Sequence, residues 1–166
     1  MLNLIKRNFK KTSRDVKITL YNSFVRPILE YACVVWDPHC KNLIETIESV
    51  QNRAARFVLN DYTQTSSVTV MKTILKWDDL VERRRILRLK LFHSVFYSKT
   101  GIDKHLYFKA PSYVSFRHHP MKIQPIYART DLYKYSFFPK TINHWNKLPF
   151  EAVSVEDSGH FVKVLS

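Results

Sequence analysis

Through most of this chain apolar residues recur every three or four positions, the spacing of a buried helix face. A first helix is expected from about Ser13 to Trp36, opened by Thr12 and Asp15 in the form of a capping box. Val16, Leu20, Phe24, Ile28, Tyr31 and Val35 make its apolar face. Pro27 should kink or split it near Phe24 to Arg26, because proline removes a backbone donor and crowds the preceding turn. Asp37-Pro38-His39 is a break, and a second helix follows from about Lys41 to Leu59 with Leu43, Ile47, Val50, Ala54 and Phe57 inward. Glu45 and Glu48 lie early in it, Arg53 and Arg56 late, which suits the helix dipole. Asn60 to Ser67 reads as a polar turn, and a short helix runs from about Val68 to Leu75.

Asp78 is the expected N-cap of a long helix from about Asp79 to Ser98, with Gly101 as its terminator. Leu80, Leu87, Leu91 and Val95 form its inner stripe, with Phe92 and Phe96 beside it. Residues 102–126 lose the period. Pro111, Pro120 and Pro125 recur there among basic and aromatic residues, which predicts an extended connector with room for short strands. Short helices close the chain, from Pro139 to Leu148 and from about Val155 to Leu165. Gly101 and Gly159 are the only glycines, so tight hairpins would lack their usual turn residue. The expectation is a mainly α chain in three regions: 1–100 helical, 101–136 an extended basic and aromatic connector, 137–166 a helical cap.

Charge narrows the function. Lys and Arg number 27 against 14 Asp and Glu, for a formal charge of +13. Such an excess attracts polyanions; nucleic acid leads, with an anionic membrane surface or an acidic protein as the alternative. At 166 residues the chain is long enough for a core without a disulfide or metal staple. Cys33 and Cys40 are expected as free thiols. No apolar run approaches the roughly 20 residues of a membrane span, and Met1 to Lys11 has no signal-peptide core. An intracellular protein, nuclear or cytoplasmic, is expected.

Enzymatic constellations are hard to find. The one Asp-Asp pair, Asp78-Asp79, reads as a helix start rather than a metal pair. His118-His119 has no acidic or thiol ligand at metal spacing, so contact with phosphate or packing is expected instead. There is no Gly-x-Ser-x-Gly elbow and no phosphate-cradling Gly loop. No catalytic residue, metal ligand or cofactor is assigned. Arg53 and Arg56 share one helix face, as do Arg84 and Arg88. Each pair either tracks a duplex backbone or sits on a solvated face near Glu48 and Glu82. Arg117, Arg129, Lys134 and Lys140 have fewer acids nearby and point more strongly to phosphate. In Arg129 to Pro149 aromatics interleave with these cations, as a stacking surface requires. Tyr133 and Tyr135 are expected to be partly exposed there, while Phe137, Phe138 and Trp145 anchor the last helices.

A resemblance sharpens this picture. It rests on Tyr21-Asn-Ser-Phe-Val-Arg-Pro-Ile-Leu-Glu-Tyr31, Val35-Trp-Asp-Pro-His39, Val50-Gln-Asn-Arg-Ala-Ala-Arg-Phe-Val58, Trp77 with Arg83-Arg84-Arg85, Arg117-His-His119 and Arg129 to Pro149. In order and spacing these resemble the C-terminal part of a non-LTR (LINE-type) retrotransposon reverse transcriptase. The resemblance implies a thumb-like helical bundle followed by a connector, gripping an RNA template and DNA primer or an RNA–DNA hybrid. It also implies that the fingers and palm, with their paired aspartates and magnesium, lie outside this chain. The chain alone would then be no polymerase, would take no small-molecule substrate, and Met1 would match an internal position of the parent. Implied nucleic-acid contacts fall on Arg53, Arg56, Arg84, Arg88, Arg117, His118, His119, Arg129, Tyr133, Lys134 and Lys140. The alternatives are a host-retained protein-interaction module and a decayed fragment whose apolar stripe from Val16 to Val35 lacks the surface it was built against.

Overall fold

A computed structural model describes residues 1–111 and 119–165. The chain is mainly α, with no strand among the described residues. The helices are α1 (Leu2–Asn8), α2 (Arg14–Leu20), α3 (Arg26–Glu30), α4 (Cys33–Trp36), α5 (Lys41–Leu59), α6 (Val68–Leu75), α7 (Leu80–Phe96), α8 (Asp131–Lys134), α9 (Phe137–Trp145), α10 (Phe150–Val153) and α11 (Ser158–Leu165). None of them is long and apolar enough to cross a membrane. The chain divides into two compact units, Met1–Arg84 and Arg85–Ser166, with the division inside α7. Residues 101–136 and 137–166, read from sequence as separate regions, both belong to the second unit.

In the first unit α5 and α6 have the bounds that their apolar period predicts. Each ends on a residue in the left-handed region, Asn60 (φ 54°) and Lys76 (φ 53°), and the next N–H closes back on the helix. The bonds are Asp61 N–H to Arg56 O (3.1 Å) and Trp77 N–H to Lys72 O (2.9 Å). Pro27 does disturb the first long helix. Between α2 and α3 the turn widens into a π segment, Tyr21–Val25, which carries the chain past the missing proline donor. Ala32, at φ 49°, then separates α3 from α4.

The face that α2–α4 bury differs from the expected one. Val16, Phe24, Ile28, Tyr31 and Val35 are exposed, the last to 84%. Lys17, Tyr21, Val25 and Cys33 are buried instead. Two adjacent rows of apolar residues compete for the core here, and the row that wins contains a lysine. Lys17 is accommodated because its ammonium donates to Asn60 Oδ1 (2.7 Å) and lies over the Phe57 ring. Leu2 and Ile5 of α1, Ala54, Phe57 and Val58 of α5, and Met71 and Leu75 of α6 complete this core. Trp77 stacks on Tyr21 with centroids 4.3 Å apart. Tyr21 donates to Gln51 Oε1 (2.8 Å), and Gln51 Nε2 passes a bond on to Asp78 O (2.8 Å). This chain of donors satisfies a buried amide that would otherwise be costly.

α7 starts at Leu80, so Asp79 rather than Asp78 precedes it. Its cap comes from another helix: the Leu80 N–H donates to Glu48 Oε2 (3.0 Å). Its C-terminal left-handed residue is Ser98 (φ 54°), with Lys99 N–H bonded to Ser94 O, so Gly101 is not the terminator.

In the second unit Leu89, Phe92, Ile123, Ile142, Trp145, Val153 and Phe161 form one core. Phe108 and Ile126 of the connector pack on it, as do Phe137 and Phe138. The connector is therefore held by its own apolar residues although it lacks regular structure. Its two runs meet where Gln124 N–H donates to Lys109 O (2.8 Å). Trp145 is fully buried, with its indole N–H on Met121 O (3.0 Å). Asn146 fixes Ile123 from both sides, accepting its N–H and donating to its carbonyl.

Candidate functional site

The sequence-predicted contacts fall into three groups. Arg117 and His118 lie outside the described residues. A second group is withdrawn from solvent. Arg84 is buried, its Nε on Asp37 Oδ1 (2.9 Å) and its guanidinium carbon 5.9 Å from the Trp36 ring centroid. Arg88 is buried too, with Nη2 donating to His144 Nδ1 (3.2 Å). His119 is buried with Nε2 at 3.3 Å from Trp145 O. The expectation that these three meet phosphate gives way: a phosphate contact needs a cation at the surface, and these side chains serve the interior. Helical spacing put Arg84 and Arg88 on one face correctly, but that face is the inner one.

The third group is exposed or half-buried. In the first unit Arg53 is exposed, with Nε on Ser49 O (3.3 Å). Arg56 instead clips the loop after α5, donating to Thr63 O (2.9 Å) and Ser66 O (3.2 Å). The local acids are engaged elsewhere. Glu48 takes Lys72 (3.0 Å), Glu30 takes Arg83 and Asp37 takes Arg84. In the second unit Arg129, Tyr133 and Lys134 are exposed and Lys140 is half-buried. Thr130 caps α8 by accepting the Tyr133 N–H, which sets Tyr133 and Lys134 at the end of the connector. Lys134 Nζ lies 5.4 Å from the Tyr135 ring centroid.

Of these side chains Tyr133 and Lys134 border two adjoining hollows that share Pro125, Ile126 and Tyr127. One, of about 430 Å³, is lined also by Leu106, Tyr107, Lys109, Gln124 and Tyr133. The other, of about 380 Å³, takes in Ala128, Lys134, Pro139 and Asn143. Tyr107 is fixed by stacking on Phe138, with centroids 3.9 Å apart and planes within 9°. Tyr127 is 84% exposed. Sequence reasoning missed Tyr107, Lys109 and Tyr127. Their only signal was the mixture of basic and aromatic residues between prolines in the connector.

Electrostatics of this unit favour an anion. Residues 85–166 carry 13 Lys and Arg against 5 Asp and Glu. His144 registers the field. Burial first, then the charges of Arg88, Arg85, Lys140 and Lys147, push its pKa down from 6.5 to about 4. Burial lowers His93 as well; it is held between Val155 O (2.6 Å) and Ser158 Oγ (3.3 Å). The His144 imidazole is neutral in the folded chain near neutral pH and regains an ordinary pKa on unfolding. Its contribution to stability is therefore whole above pH 6.5 and is lost as pH falls toward about 4. Urea denaturation across that range should show falling stability, and His144→Gln should make the decline shallower. An unchanged slope in His144→Gln would refute this account of His144.

Among the described residues no group of three or more His, Cys, Asp or Glu is gathered to hold a metal ion. Cys33 is buried and Cys40 exposed, and they are not joined in a disulfide. No family model, curated protein or solved structure matches the chain.

Proposed function

We propose that this chain binds template–primer nucleic acid, chiefly through its phosphates, as the thumb-and-connector part of a non-LTR retrotransposon reverse transcriptase. One observation carries the reading: the charge excess of residues 85–166, where 13 basic residues face only 5 acids. Arg129 and Lys134 stand exposed in this unit, with Lys140 on α9 beside them in sequence. In the first unit Arg53 is the exposed candidate. Arg84, Arg88 and His119 are left out because they are buried. No polymerase chemistry is assigned to the chain.

The test is a salt series with an end-labelled RNA–DNA hybrid. With several phosphate contacts the log–log slope of affinity against salt should be about −3 or steeper. Affinity that is flat across the same range, or no binding at the lowest salt, would reject the reading. Primer extension with magnesium should give no product from the chain alone; template-directed synthesis would reject the non-enzymatic assignment.

One observation favours a second reading, a protein-interaction module. Phe24, Ile28, Tyr31 and Val35 present apolar side chains to solvent along α3, α4 and the π segment. Adjacent exposed apolar residues of this size mark a surface that another protein or domain covers. That reading predicts association that survives the salt series and is not competed by RNA.

A further inference from the structure

We infer that the paired hollows of residues 85–166 take single-stranded nucleic acid, one nucleobase in each, with Tyr127 against both and the backbone passing Lys109 and Lys134. This rests on the nucleic-acid reading above and names the form of ligand at one face.

Four observations lead there. The hollows, about 430 and 380 Å³, are each large enough for a base, and both lie in the ~300–1,000 Å³ range of small-ligand clefts. Tyrosines, prolines and two side-chain amides line them beside Leu106, Ile126 and Ala128. Tyr107, Tyr127 and Tyr133 offer ring faces, while Gln124 and Asn143 offer donors and acceptors for a base edge. Each hollow has one lysine in its lining, Lys109 in the first and Lys134 in the second. Neither is lined by an acidic residue among those described, so a phosphate meets attraction on both sides. Finally, Tyr127 is 84% exposed and Tyr133 about half exposed, although both are aromatic. Burying such rings is favourable, and stacking on a base buries the face while leaving the hydroxyl wet.

Bases in a duplex are stacked on one another and present only edges, whereas a single strand can turn its bases out onto side chains. Hollows lined by aromatic rings therefore suit the single strand, and a duplex would engage only the lysines. The framework is held in place. Tyr107 leans on Phe138, the Gln124–Lys109 backbone bond joins the two connector runs, and Thr130 caps the turn carrying Tyr133 and Lys134.

The experiment is fluorescence anisotropy on the full chain at one fixed low salt. Three probes are used: oligo(U) of about 12 nucleotides, an abasic strand of equal length, and a blunt RNA–DNA hybrid. Oligo(U) should bind roughly tenfold or more tightly than the abasic strand, which has the same phosphates and no rings to stack. Tyr127→Ala and Tyr133→Ala should each weaken oligo(U) roughly tenfold. Tyr127→Ala should leave abasic and hybrid affinities within about twofold, since no phosphate contact is touched. Tyr127→Phe and Tyr133→Phe should restore oligo(U) binding, and circular dichroism should match the parent for all four. Equal affinity for oligo(U) and abasic strand would overturn the inference, as would tyrosine variants that lose nothing or a Tyr127→Ala variant that loses hybrid binding equally. Hybrid binding without base preference rejects this inference alone; no binding to any probe rejects the nucleic-acid reading with it.

Discussion

Trp145→Ala should cost the second unit about 3–5 kcal/mol, enough to leave it largely unfolded in mild denaturant. The indole is fully buried, with Phe96, Phe92 and Phe161 at centroid distances of 5.0, 5.3 and 6.0 Å. Truncation opens a cavity among rings that cannot all collapse into it. It also leaves Met121 O without the indole donor 3.0 Å away. Trp145→Phe fills most of the volume but restores no donor. Its loss should be intermediate, about 1–3 kcal/mol, the cost of a part-buried carbonyl left without its donor plus a smaller void. Urea denaturation followed by circular dichroism checks the ranking, and amide exchange in α9 and α11 checks the location. A loss for Trp145→Ala below about 1 kcal/mol would mean that the ring cluster does not hold this unit together.

Much of the backbone was readable before the structure, and the burial only in part: Ala54, Phe57, Leu80, Phe92, Val95 and Trp145 are buried as expected. α5 and α6 follow their apolar period to the residue because that period is strong and each helix stops at a left-handed cap. Asn is among the residues that tolerate that conformation; Lys76 has no such advantage, and there the end of the period gave the boundary. The buried face of α2–α4 and the place of Arg84 and Arg88 on α7 differ from expectation for one shared reason. Reading inward faces from apolar residues alone assumes that cations stay outside, and this chain buries Lys17, Arg84 and Arg88. Each has a specific partner distant in sequence: Asn60, Asp37 and His144. Sequence spacing cannot supply such partners. The same limit applies to the hollows. Tyr133 and Lys134 could be picked out because they sit in a dense aromatic and basic stretch. Tyr107, Lys109 and Tyr127 enter only through a backbone bond between residues 109 and 124 and a stack on Phe138, neither of which leaves a local pattern.

Glu48 shows what these long-range partners contribute to stability, and Glu48→Ala is expected to cost the first unit about 3 kcal/mol. The carboxylate does two things from α5. Oε1 takes the Lys72 ammonium at 3.0 Å, and Oε2 caps α7 by accepting the Leu80 N–H at 3.0 Å. Both side chains of the ion pair are mostly shielded, 11% exposed for Lys72 and 15% for Glu48, so water screens the pair poorly. Burial works against the charge on Lys72, but its bonds to Asp79 and Glu48 outweigh that and hold its pKa above the usual lysine value. Removing Glu48 leaves that charge with Asp79 alone, whose side chain is 61% exposed and correspondingly screened. It also strips a helix N-terminus of its acceptor, an effect of about 1 kcal/mol in itself. Glu48→Gln separates the two roles, because a side-chain amide oxygen can still accept from Leu80 while the charge is gone. Its cost should fall between those of the parent and Glu48→Ala. The double variant Glu48→Leu/Lys72→Met should lose less than the single Glu48→Ala, since no cation is then left short of its partner. Urea denaturation monitored through Trp77, which stacks on Tyr21 in the same core, reads the effect. If Glu48→Ala stayed within about 0.5 kcal/mol of the parent, the ion pair and the cap would be surface decoration. If instead the double variant lost more than the single one, the ion pair itself would be the net stabiliser, and replacing it with apolar side chains could not offset its loss.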